Sequence, residues 1–340
     1  MVTIHDVAAR AGVGVGTVSR IVNGGAQVGP ATRERVLAAI EELDFRPSRR
    51  GQAFARGRTS TVAVLVPFVT HPSAIERVSG LIQGLRDTQL PVSIADVELP
   101  EHQHDHLRAL SADLRPEGLV VVSLHFTDEE QDGLRSAGVR PVLIDAEAPG
   151  LSCFVIDDER GGRMATQHLL EFGHQLIGFV GDLEHDTFGF TSSERRHRGY
   201  LQALAAASLV PSEEYQRTGR HGKNTALAAA TRLLELDEPP TAVFAASDTQ
   251  ALGVLQAARE RGLRVPEDLS VVGFDDIGVA ALVDLTTVRQ PLVESGREAA
   301  RVVIEQIKDP ARPAERHEMP LQLVVRGTTM QAARSRKPKK

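Results

Sequence analysis

The sequence is poor in cysteine and in aromatic residues: its 340 residues contain one cysteine, no tryptophan and 4% aromatic residues in all. The single thiol, Cys153, cannot form an intrachain disulfide and leaves no multi-cysteine metal site. No run of about 18 apolar residues occurs, so we expect no transmembrane helix. The first residues also lack the apolar segment of a secretory signal, which favours a cytoplasmic protein.

Motifs of hydrolytic and redox enzymes are missing as well. The sequence has no Walker loop, no His-Glu-x-x-His and no nucleophile elbow. The glycines at 12, 14 and 16 superficially match a dinucleotide loop, but a helical pattern precedes them where a strand is needed. His102 and His106 have the spacing of some metal ligands, although a solvated helix face explains them more simply. We therefore expect no enzyme, no cofactor and no metal.

Charge is distributed unevenly along the chain, whose formal net charge is −6. Residues 1–60 carry nine arginines and five acidic residues, and residues 331–340 carry five basic residues and no acid. The long segment between them is therefore strongly acidic. A basic N-terminal segment followed by a long acidic segment predicts that affinity for phosphate groups is confined to the N-terminal segment. The basic tail is more simply a solubilising end than a second site for phosphate groups.

Residues 4–24 have the pattern of two short helices joined by a tight bend. Apolar residues share one face of the first helix at Val7, Ala8 and Ala11. Thr3 can cap this helix, and Gly12 permits the bend. The second helix starts with small residues and carries polar ones, which suits insertion into a DNA major groove. Three helices are expected in this region, near 4–11, 15–22 and 31–43.

Residues 4–24 contain three short sequence motifs in succession: Asp6-Val7-Ala8, Ala11-Gly12-Val13 and Thr17-Val18-Ser19-Arg20. Together they closely resemble the DNA-binding headpiece of the lac-repressor-type (LacI/GalR) family of bacterial transcription regulators. The sequence departs from the family pattern at Gly14 and Gly29, where serine is usual. Glycine caps a helix only slightly less well than serine, so the expected function is unchanged.

The resemblance implies which headpiece residues contact DNA. They are Thr3, Val15, Gly16, Thr17, Ser19, Arg20 and Asn23. Base reading falls to Val15, Gly16 and Arg20, and since the first two have little reach, specificity should depend on Arg20, whose guanidinium suits guanine. The other polar residues are better assigned to phosphates or to helix packing. Because one short helix reads too few bases, we expect a homodimer on a pseudo-palindromic operator.

Residues 47–58 correspond to the hinge segment of the family, which folds into a short helix on DNA. Phe54 occupies the position whose side chain enters the minor groove in relatives, and Ala55 is assigned to the same contact. A phenyl wedge can part a base step in exchange for a bend in the duplex. The alternative is that Phe54 packs against the hinge of the second subunit.

From Thr61 onward, short apolar strands alternate with amphipathic helices. Strands are expected near 61–66, 92–97, 118–123, 141–145, 176–181, 241–245 and 269–274. Helices are expected near 73–87, 102–113, 128–137, 159–172, 193–207, 223–236 and 249–261. This alternation predicts parallel sheets with covered faces, and its two series predict two lobes with a ligand at the carboxyl ends of the strands.

The second part of the chain resembles the periplasmic-binding-protein-like core of the same family, with matching stretches in the family's order between Asp157 and Thr328. The expected fold is an all-α helix-turn-helix headpiece followed by a two-lobed α/β core with parallel sheets. The expected domains are the headpiece (1–46), the hinge (47–58), the core (59–330) and the basic tail (331–340). Lobe 1 is expected to take 61–157 and 289–319, and lobe 2 to take 158–288 and 320–330.

Resemblance and residue chemistry together place an effector site at the strand ends of this core. Its candidate residues are Phe68, Asp145, Phe190, Arg196, His221, Ser247, Asp248 and Asp275. Asp275 matches the family's ligand for sugar hydroxyls, and Arg196 matches its effector-binding arginine. A carboxylate accepts two hydroxyl hydrogen bonds, and a guanidinium donates through a rigid fork.

Most of these candidates have a simpler alternative. A role in a turn or a helix cap explains Asp145 and Asp248 as well as a role in ligand binding does. Arg196 stands beside Arg195 and Arg198, and only its spacing to the following glycine selects it.

The aromatic candidates also have alternatives. Phe188 and Phe190 either stack on a sugar ring or pack into the second lobe. His221 falls where some relatives place a stacking ring, although a surface histidine is the simpler interpretation.

The expected function is that of a transcriptional regulator, most simply a repressor of sugar uptake or catabolism genes. A mono- or oligosaccharide would release it from its operator. A corepressor such as a purine is an alternative within the same class. A solute-binding protein with an N-terminal fusion is disfavoured by the hinge and the missing secretory segment, and a sugar-modifying enzyme by the missing catalytic motifs.

Overall fold

The computed structural model of the chain describes residues 2–22, 28–45, 59–112, 115–182 and 188–332. The chain separates into two compact units, one built mainly from residues 1–60 and the other mainly from residues 61–340. The first unit contains the predicted headpiece, and the second contains the predicted core.

Three helices build the described part of the first unit: α1 (Ile4–Ala11), α2 (Val15–Val22) and α3 (Pro30–Glu42). All three lie where the sequence predicts them. A capping box starts α1, because the backbone N–H of Asp6 donates to the Thr3 hydroxyl and the Asp6 carboxylate accepts from the Thr3 N–H. Gly12 makes the bend after α1 in the left-handed conformation, with φ 65°. One fully buried valine from each helix forms the centre of the core: Val7, Val18 and Val36.

Two six-stranded sheets form the second unit. The first contains β1 (Thr59–Pro67), β2 (Val92–Val97), β3 (Pro116–Val122), β4 (Pro141–Ile144), β5 (Ser152–Val155) and β11 (Arg316–Glu318). The second contains β6 (Ile177–Asp182), β7 (Gln216–Gly219), β8 (Ala242–Ala245), β9 (Ser270–Asp275), β10 (Thr286–Arg289) and β12 (Gln322–Val324). Their strand orders are β11-β5-β4-β3-β1-β2 and β12-β10-β9-β8-β6-β7. β12 runs antiparallel to β10, whereas β9 and β10 pair in parallel, as β1 and β2 do.

Helices cover both faces of each sheet, as parallel sheets require. They are α4 (Pro72–Gly84), α5 (Pro100–Ala112), α6 (Asp128–Ser136), α7 (Asp158–Glu171), α8 (Ser192–Ala206), α9 (Lys223–Leu234), α10 (Asp248–Glu260), α11 (Gly278–Leu282) and α12 (Leu292–Lys308). Neighbouring residues of one strand face opposite cores: Val64 and Leu65 in the first sheet, and Val243 and Phe244 in the second. The predicted α/β fold class is therefore confirmed.

We call the first sheet with its helices lobe 1 and the second sheet with its helices lobe 2. The chain passes from lobe 1 to lobe 2 after β5, returns after β10 to form α12, and crosses again after β11. In lobe 1, α4 packs very closely on α12. A Cβ atom at Gly80 would collide with the carbonyl of Val293, and one at Gly296 would collide with the carbonyl of Arg77.

Two further findings concern the described residues only. None of their helices has both the length and the apolar character that spanning a bilayer requires. Within the same ranges, the histidine, cysteine and acidic side chains form no group of three or more with the arrangement of a metal site.

Candidate functional site

The second headpiece helix exposes one face and buries the other. Val18 and Ile21 point into the core of the unit, whereas Gly16 and Arg20 are exposed. Arg20 lies one turn after Gly16, and its Nε donates to the Gly16 carbonyl at 3.1 Å. An arginine and a bare backbone patch therefore lie next to each other on the exposed face of α2.

The other predicted DNA contacts differ in their surroundings. Val15, Thr17 and Ser19 are half-buried, and the Thr3 hydroxyl donates to the Asp6 carboxylate at 2.8 Å. Thr3 thus serves the helix cap, and only its exposed position leaves it open to DNA. The remaining candidates of this group lie outside the described residues: Asn23, Phe54 and Ala55, together with the whole predicted hinge, 47–58.

In the second unit, unusual backbone conformations mark the carboxyl ends of strands. Residues at four such ends have positive φ: Phe68 (49°), Ser123 (55°), Asp145 (60°) and Asp275 (113°). A non-glycine residue seldom adopts this conformation, because its Cβ crowds the backbone. Conformations of this kind cost free energy and cluster at functional sites. The strand ends at which the sequence predicts an effector site therefore have backbone conformations that are typical of functional sites.

Arg196 is the centre of a buried polar cluster in lobe 2. Its Nε donates to Oδ1 of Asp158 at 2.7 Å, and its Nη1 donates to the carbonyl of Ala246 at 2.7 Å. Nη1 also lies 3.6 Å from Oδ1 of Asp275, and the guanidinium stacks 3.7 Å from the ring centre of Phe274. Of the three neighbouring arginines, only Arg196 is buried, while those at 195 and 198 are exposed.

Burial of this cluster changes the pKa values of its carboxyl groups. Desolvation raises the pKa of Asp158 to about 6, although the charge of Arg196 acts in the opposite direction. Burial likewise raises the pKa of Asp275, against the lowering influence of Arg196 and of a hydrogen bond from Gln290. Desolvation lowers the pKa of Arg196, but the charges of Asp158, Asp275 and Asp145 outweigh this effect and raise it. The guanidinium is therefore a fixed charge that attracts the surrounding carboxylates.

Lobe 1 contributes Asp145 and an arginine that the sequence analysis did not single out. Oδ2 of Asp145 accepts from the Ser123 hydroxyl at 2.8 Å and lies 3.2 Å from Nη2 of Arg77. The same Nη2 donates to Oε1 of Gln290 at 3.0 Å, and Nε2 of Gln290 donates to Oδ1 of Asp275 at 2.6 Å. Asp145 and Asp275 thus belong to one connected polar network.

Aromatic rings from both lobes form a wall beside this network. Phe68 stacks on His71 with 5.1 Å between ring centres, and it meets Phe188 edge-on at 5.5 Å. Phe188 in turn stacks on Phe190 at 5.3 Å. Phe188 and Phe190 come from lobe 2 but pack against the core of lobe 1. They therefore contact the opposite lobe.

His221 joins this wall from lobe 2. Its ring centre lies 5.1 Å from that of His71, and its Nδ1 lies 3.2 Å from Oδ1 of Asp182. Desolvation lowers the pKa of His221, but the hydrogen bond and the charge of Asp182 outweigh it and raise the pKa above its usual value. A cationic imidazole beside a carboxylate is thus favoured here.

Ser247 and Asp248 have most of their bonding capacity used by the protein itself. The Ser247 hydroxyl accepts from the Gln250 N–H at the start of α10 and donates to Oε1 of the same residue. The Asp248 side chain is fully buried, and its two oxygens accept from the Thr287 hydroxyl at 2.6 Å and from the Ile277 N–H at 2.9 Å. Asp248 therefore holds the loop after β9 in place, a role that differs from the turn or helix cap weighed for it, since Ser247 caps α10.

Comparison with known proteins identifies the family. Residues 3–48 match the bacterial regulatory proteins of the lacI family, and residues 166–329 match a periplasmic binding protein-like domain. Catabolite control protein A of Priestia megaterium is 34% identical over 312 residues, which cover 89% of this chain and 91% of the relative. The transcriptional repressor PurR of Vibrio atlanticus is 33% identical over 335 residues (96% and 98%). The transcriptional regulator CelR of Thermobifida fusca is 36% identical over 320 residues (90% and 92%).

Solved structures show the same relationship. A complex of the transcriptional regulator CelR with cellobiose superposes with a TM-score of 0.70 at 34% identity, over 96% of this chain and 100% of that one. A lac repressor dimer bound to operator and the anti-inducer ONPF gives 0.80 at 27% identity, over 97% and 99%. The resemblance found in the sequence is confirmed: the chain belongs to the LacI family of bacterial transcriptional regulators, and it is a DNA-binding regulator of transcription.

Proposed function

We propose that this regulator is a repressor of sugar uptake or catabolism genes and that a neutral mono- or oligosaccharide releases it from its operator. The observation that carries the sugar assignment is the buried cluster of Asp275 and Arg196 beside an aromatic wall. A hydroxyl both donates and accepts, so a polyol can satisfy a carboxylate and a guanidinium together. The apolar faces of a sugar ring pack well on aromatic rings. The cellobiose bound to the related CelR supports the same class of ligand.

The DNA-binding half of the proposal concerns operator recognition. The regulator acts as a homodimer on a pseudo-palindrome, because two copies of a short helix read enough bases for specificity. The lac repressor dimer on its operator supports this arrangement. Arg20 reads a guanine, Val15 and Gly16 allow the helix to approach the bases, and Thr17 and Ser19 contact phosphates. Since its target is chromosomal DNA, we place the protein in the cytoplasm.

Release follows from a difference in affinity between two states. A sugar that binds one arrangement of the lobes more tightly than another shifts the population towards it. If operator DNA prefers the other arrangement, the sugar weakens operator binding, and linkage requires the reciprocal effect on sugar binding.

The experiment that tests the proposal has two steps. Thermal unfolding of the purified protein is followed with glucose, cellobiose, glucose 6-phosphate, hypoxanthine and guanine. A ligand present at about 100 times its Kd should stabilise the protein by about 2.7 kcal/mol. Any ligand that raises the Tm is then added to the protein on its operator. A neutral sugar that raises the Tm and releases the DNA supports the proposal, whereas a purine that tightens DNA binding replaces it with the corepressor alternative.

A further inference from the structure

Arg77 is a buried arginine on α4 whose contacts reach out of its own lobe. The residue is 5% exposed, and it lies on the buried face of α4 between Ala74 and Val78. A buried guanidinium is costly unless charged or polar groups surround it. Its Nη2 meets this need with two partners at the cleft, Asp145 in lobe 1 and Gln290 in the crossing segment between β10 and α12.

The amide of Gln290 has only one orientation that fits its neighbours. Oε1 accepts from Arg77 at 3.0 Å, and Nε2 donates to Oδ1 of Asp275 at 2.6 Å. Rotating the amide by half a turn would place donor against donor and acceptor against acceptor. A directed chain of two hydrogen bonds therefore leads from the carboxylate of Asp275 in lobe 2, through Gln290, to the guanidinium of Arg77 in lobe 1.

Two members of this hydrogen-bond chain, Gln290 and Arg77, adjoin one tightly packed helix pair, α12 and α4. Gln290 lies two residues before Leu292, the first residue of α12. α12 and α4 touch backbone to backbone at Gly296, where an added Cβ would collide with the Arg77 carbonyl itself. Because the two helices cannot separate without losing this contact, a change at the Gln290 amide acts on the pair as a unit.

We propose that Arg77 is a positioning residue that transmits ligand binding at Asp275 to helix α4 through Gln290. This inference rests on the proposed function, in which an effector hydroxyl binds Asp275. Such a hydroxyl competes with the Gln290 amide for Oδ1 of Asp275. When Gln290 moves, Arg77 loses one of its two partners and keeps Asp145, and the α4–α12 pair shifts relative to lobe 2. Arg77 itself need not touch the ligand.

The test separates transmission from ligand binding and from stability. Arg77→Met keeps the length of the side chain but removes the hydrogen bonds and the charge. Gln290→Met breaks the same chain of hydrogen bonds, but Asp145 keeps its cationic partner. This variant therefore remains informative if Arg77→Met is unstable. Arg297→Met is the matched control, because Arg297 on α12 also donates to a glutamine of α4, Gln83 at 2.6 Å, but on the exposed side of the pair.

The first experiment measures two quantities. One is the ratio of the operator affinity without cellobiose to the operator affinity with saturating cellobiose, and the other is the cellobiose Kd. We expect neither relay variant to bind cellobiose more than about threefold more weakly than the wild type, while the ratio falls about tenfold or more. Arg297→Met should keep the wild-type ratio. An unchanged ratio in both relay variants overturns the proposal. So does a cellobiose Kd that rises tenfold while the ratio at saturation survives, since Arg77 would then be a ligand contact.

The second readout needs no ligand. Amide hydrogen exchange over α4 is compared between the wild type and Asp275→Gly, which removes the acceptor of the Gln290 amide and tolerates the positive φ of this position, and again in the Arg77→Met background. The relay predicts that Asp275→Gly alters exchange in α4 only when Arg77 is present, and equal effects in both backgrounds contradict it. If cellobiose leaves the wild type unchanged, the sugar assignment loses support, whereas the exchange experiment still decides the relay.

Discussion

Nη1 of Arg196 lies 3.6 Å from Oδ1 of Asp275, close enough for an ion pair but too far for a hydrogen bond. Each partner is held in place by other groups: Arg196 donates to Asp158 and to the carbonyl of Ala246, and Asp275 accepts from Gln290. A ligand hydroxyl can therefore accept from Nη1 and donate to Oδ1 at the same time. Arg196 keeps its own hydrogen bonds when a polyol binds, whereas at Oδ1 of Asp275 the polyol hydroxyl competes with the Gln290 amide.

Asp275→Asn should weaken effector binding while leaving the fold intact. Asparagine tolerates the positive φ of this position and keeps an acceptor for Gln290, but it loses the negative charge. Loss of one charged hydrogen bond costs about 1.5–3 kcal/mol, so the effector Kd should rise by about tenfold or more. Calorimetric titration with the sugar found by thermal shift measures it, with the exposed Asp237→Asn as control. A wild-type Kd in Asp275→Asn would exclude Asp275 from the site.

Sugar phosphates should bind more weakly than the corresponding neutral sugars. Both buried guanidiniums at the cleft already have carboxylate partners, Arg77 with Asp145 and Arg196 with Asp158. An added phosphate would meet the negative charge of Asp275 nearby, and like charges in a desolvated site cost several kcal/mol. We expect glucose 6-phosphate to bind at least about tenfold more weakly than glucose. Tighter binding of the phosphate in the same titration would overturn the assignment of a neutral ligand.

Arg20→Ala should abolish operator discrimination without unfolding the headpiece. Arg20 is exposed, and its Nε donates to the Gly16 carbonyl of its own helix. A bidentate contact with guanine contributes about 1–3 kcal/mol of discrimination per half-site. Affinities for the operator and for a scrambled duplex are compared at one salt concentration, with the exposed Arg35→Ala on α3 as control. If Arg20→Ala kept its specificity for the operator while Arg35→Ala lost it, base reading would be assigned to a residue other than Arg20.

The sequence predicts the strands and helices with strong patterns and misses those without them. The central strands are apolar runs, and their positions are confirmed within a few residues. β11 is Arg316–Glu318, three polar residues whose strand geometry comes only from pairing with β5. No local periodicity could indicate it. α12 is a different case, because Leu292, Ala299 and Val303 recur at helical spacing, and the pattern is sufficient to predict this helix although it is not among the predicted ones.

The network at the cleft could be predicted only in part. Spacing alone selects Arg196 from three adjacent arginines. The contact between Arg77 and Gln290 joins residues 213 positions apart, and no local pattern encodes such a pairing. One signal for Arg77 is nevertheless present. Ala74, Val78 and Leu81 share a helical face with it, and a charge at this point of an apolar stripe indicates a buried partner.

Two buried histidines should make the stability of the core depend on pH. His174 contacts the Met330 carbonyl and His168 contacts the Thr329 hydroxyl, so both fasten the segment after β12. Burial lowers the pKa of each imidazole below its usual value. Below about pH 6.5 the unfolded chain therefore takes up more protons than the folded one. The free energy of unfolding should decrease as the pH falls, by up to about 1.4 kcal/mol per pH unit for each group.

A substitution isolates this effect from that of Asp158, whose raised pKa acts in the opposite direction between about pH 4 and 6. His174→Gln removes one titrating group but keeps a donor for the Met330 carbonyl. Its destabilisation relative to the wild type should be about 1 kcal/mol smaller at pH 5.5 than at pH 8. Urea unfolding at both pH values measures the difference, with the exposed His104→Gln as control. A difference that does not change with pH would show that His174 is not the responsible group.

Gly296→Ala should destabilise lobe 1, whereas the same substitution at Gly133 should not. A Cβ at Gly296 meets three backbone atoms of α4, and backbone cannot move aside unless the two helices separate. Overpacking of this kind costs about 1–3 kcal/mol. Gly133 in α6 has nothing within 4 Å of its Cβ position, so alanine there should stabilise its helix by about 0.5–1 kcal/mol. Urea unfolding of both variants measures these opposite signs. Because Gly296 contacts the carbonyl of Arg77, its alanine variant should also weaken the effect of the ligand on operator affinity, and a destabilised variant with the wild-type effect would separate the helix contact from the relay.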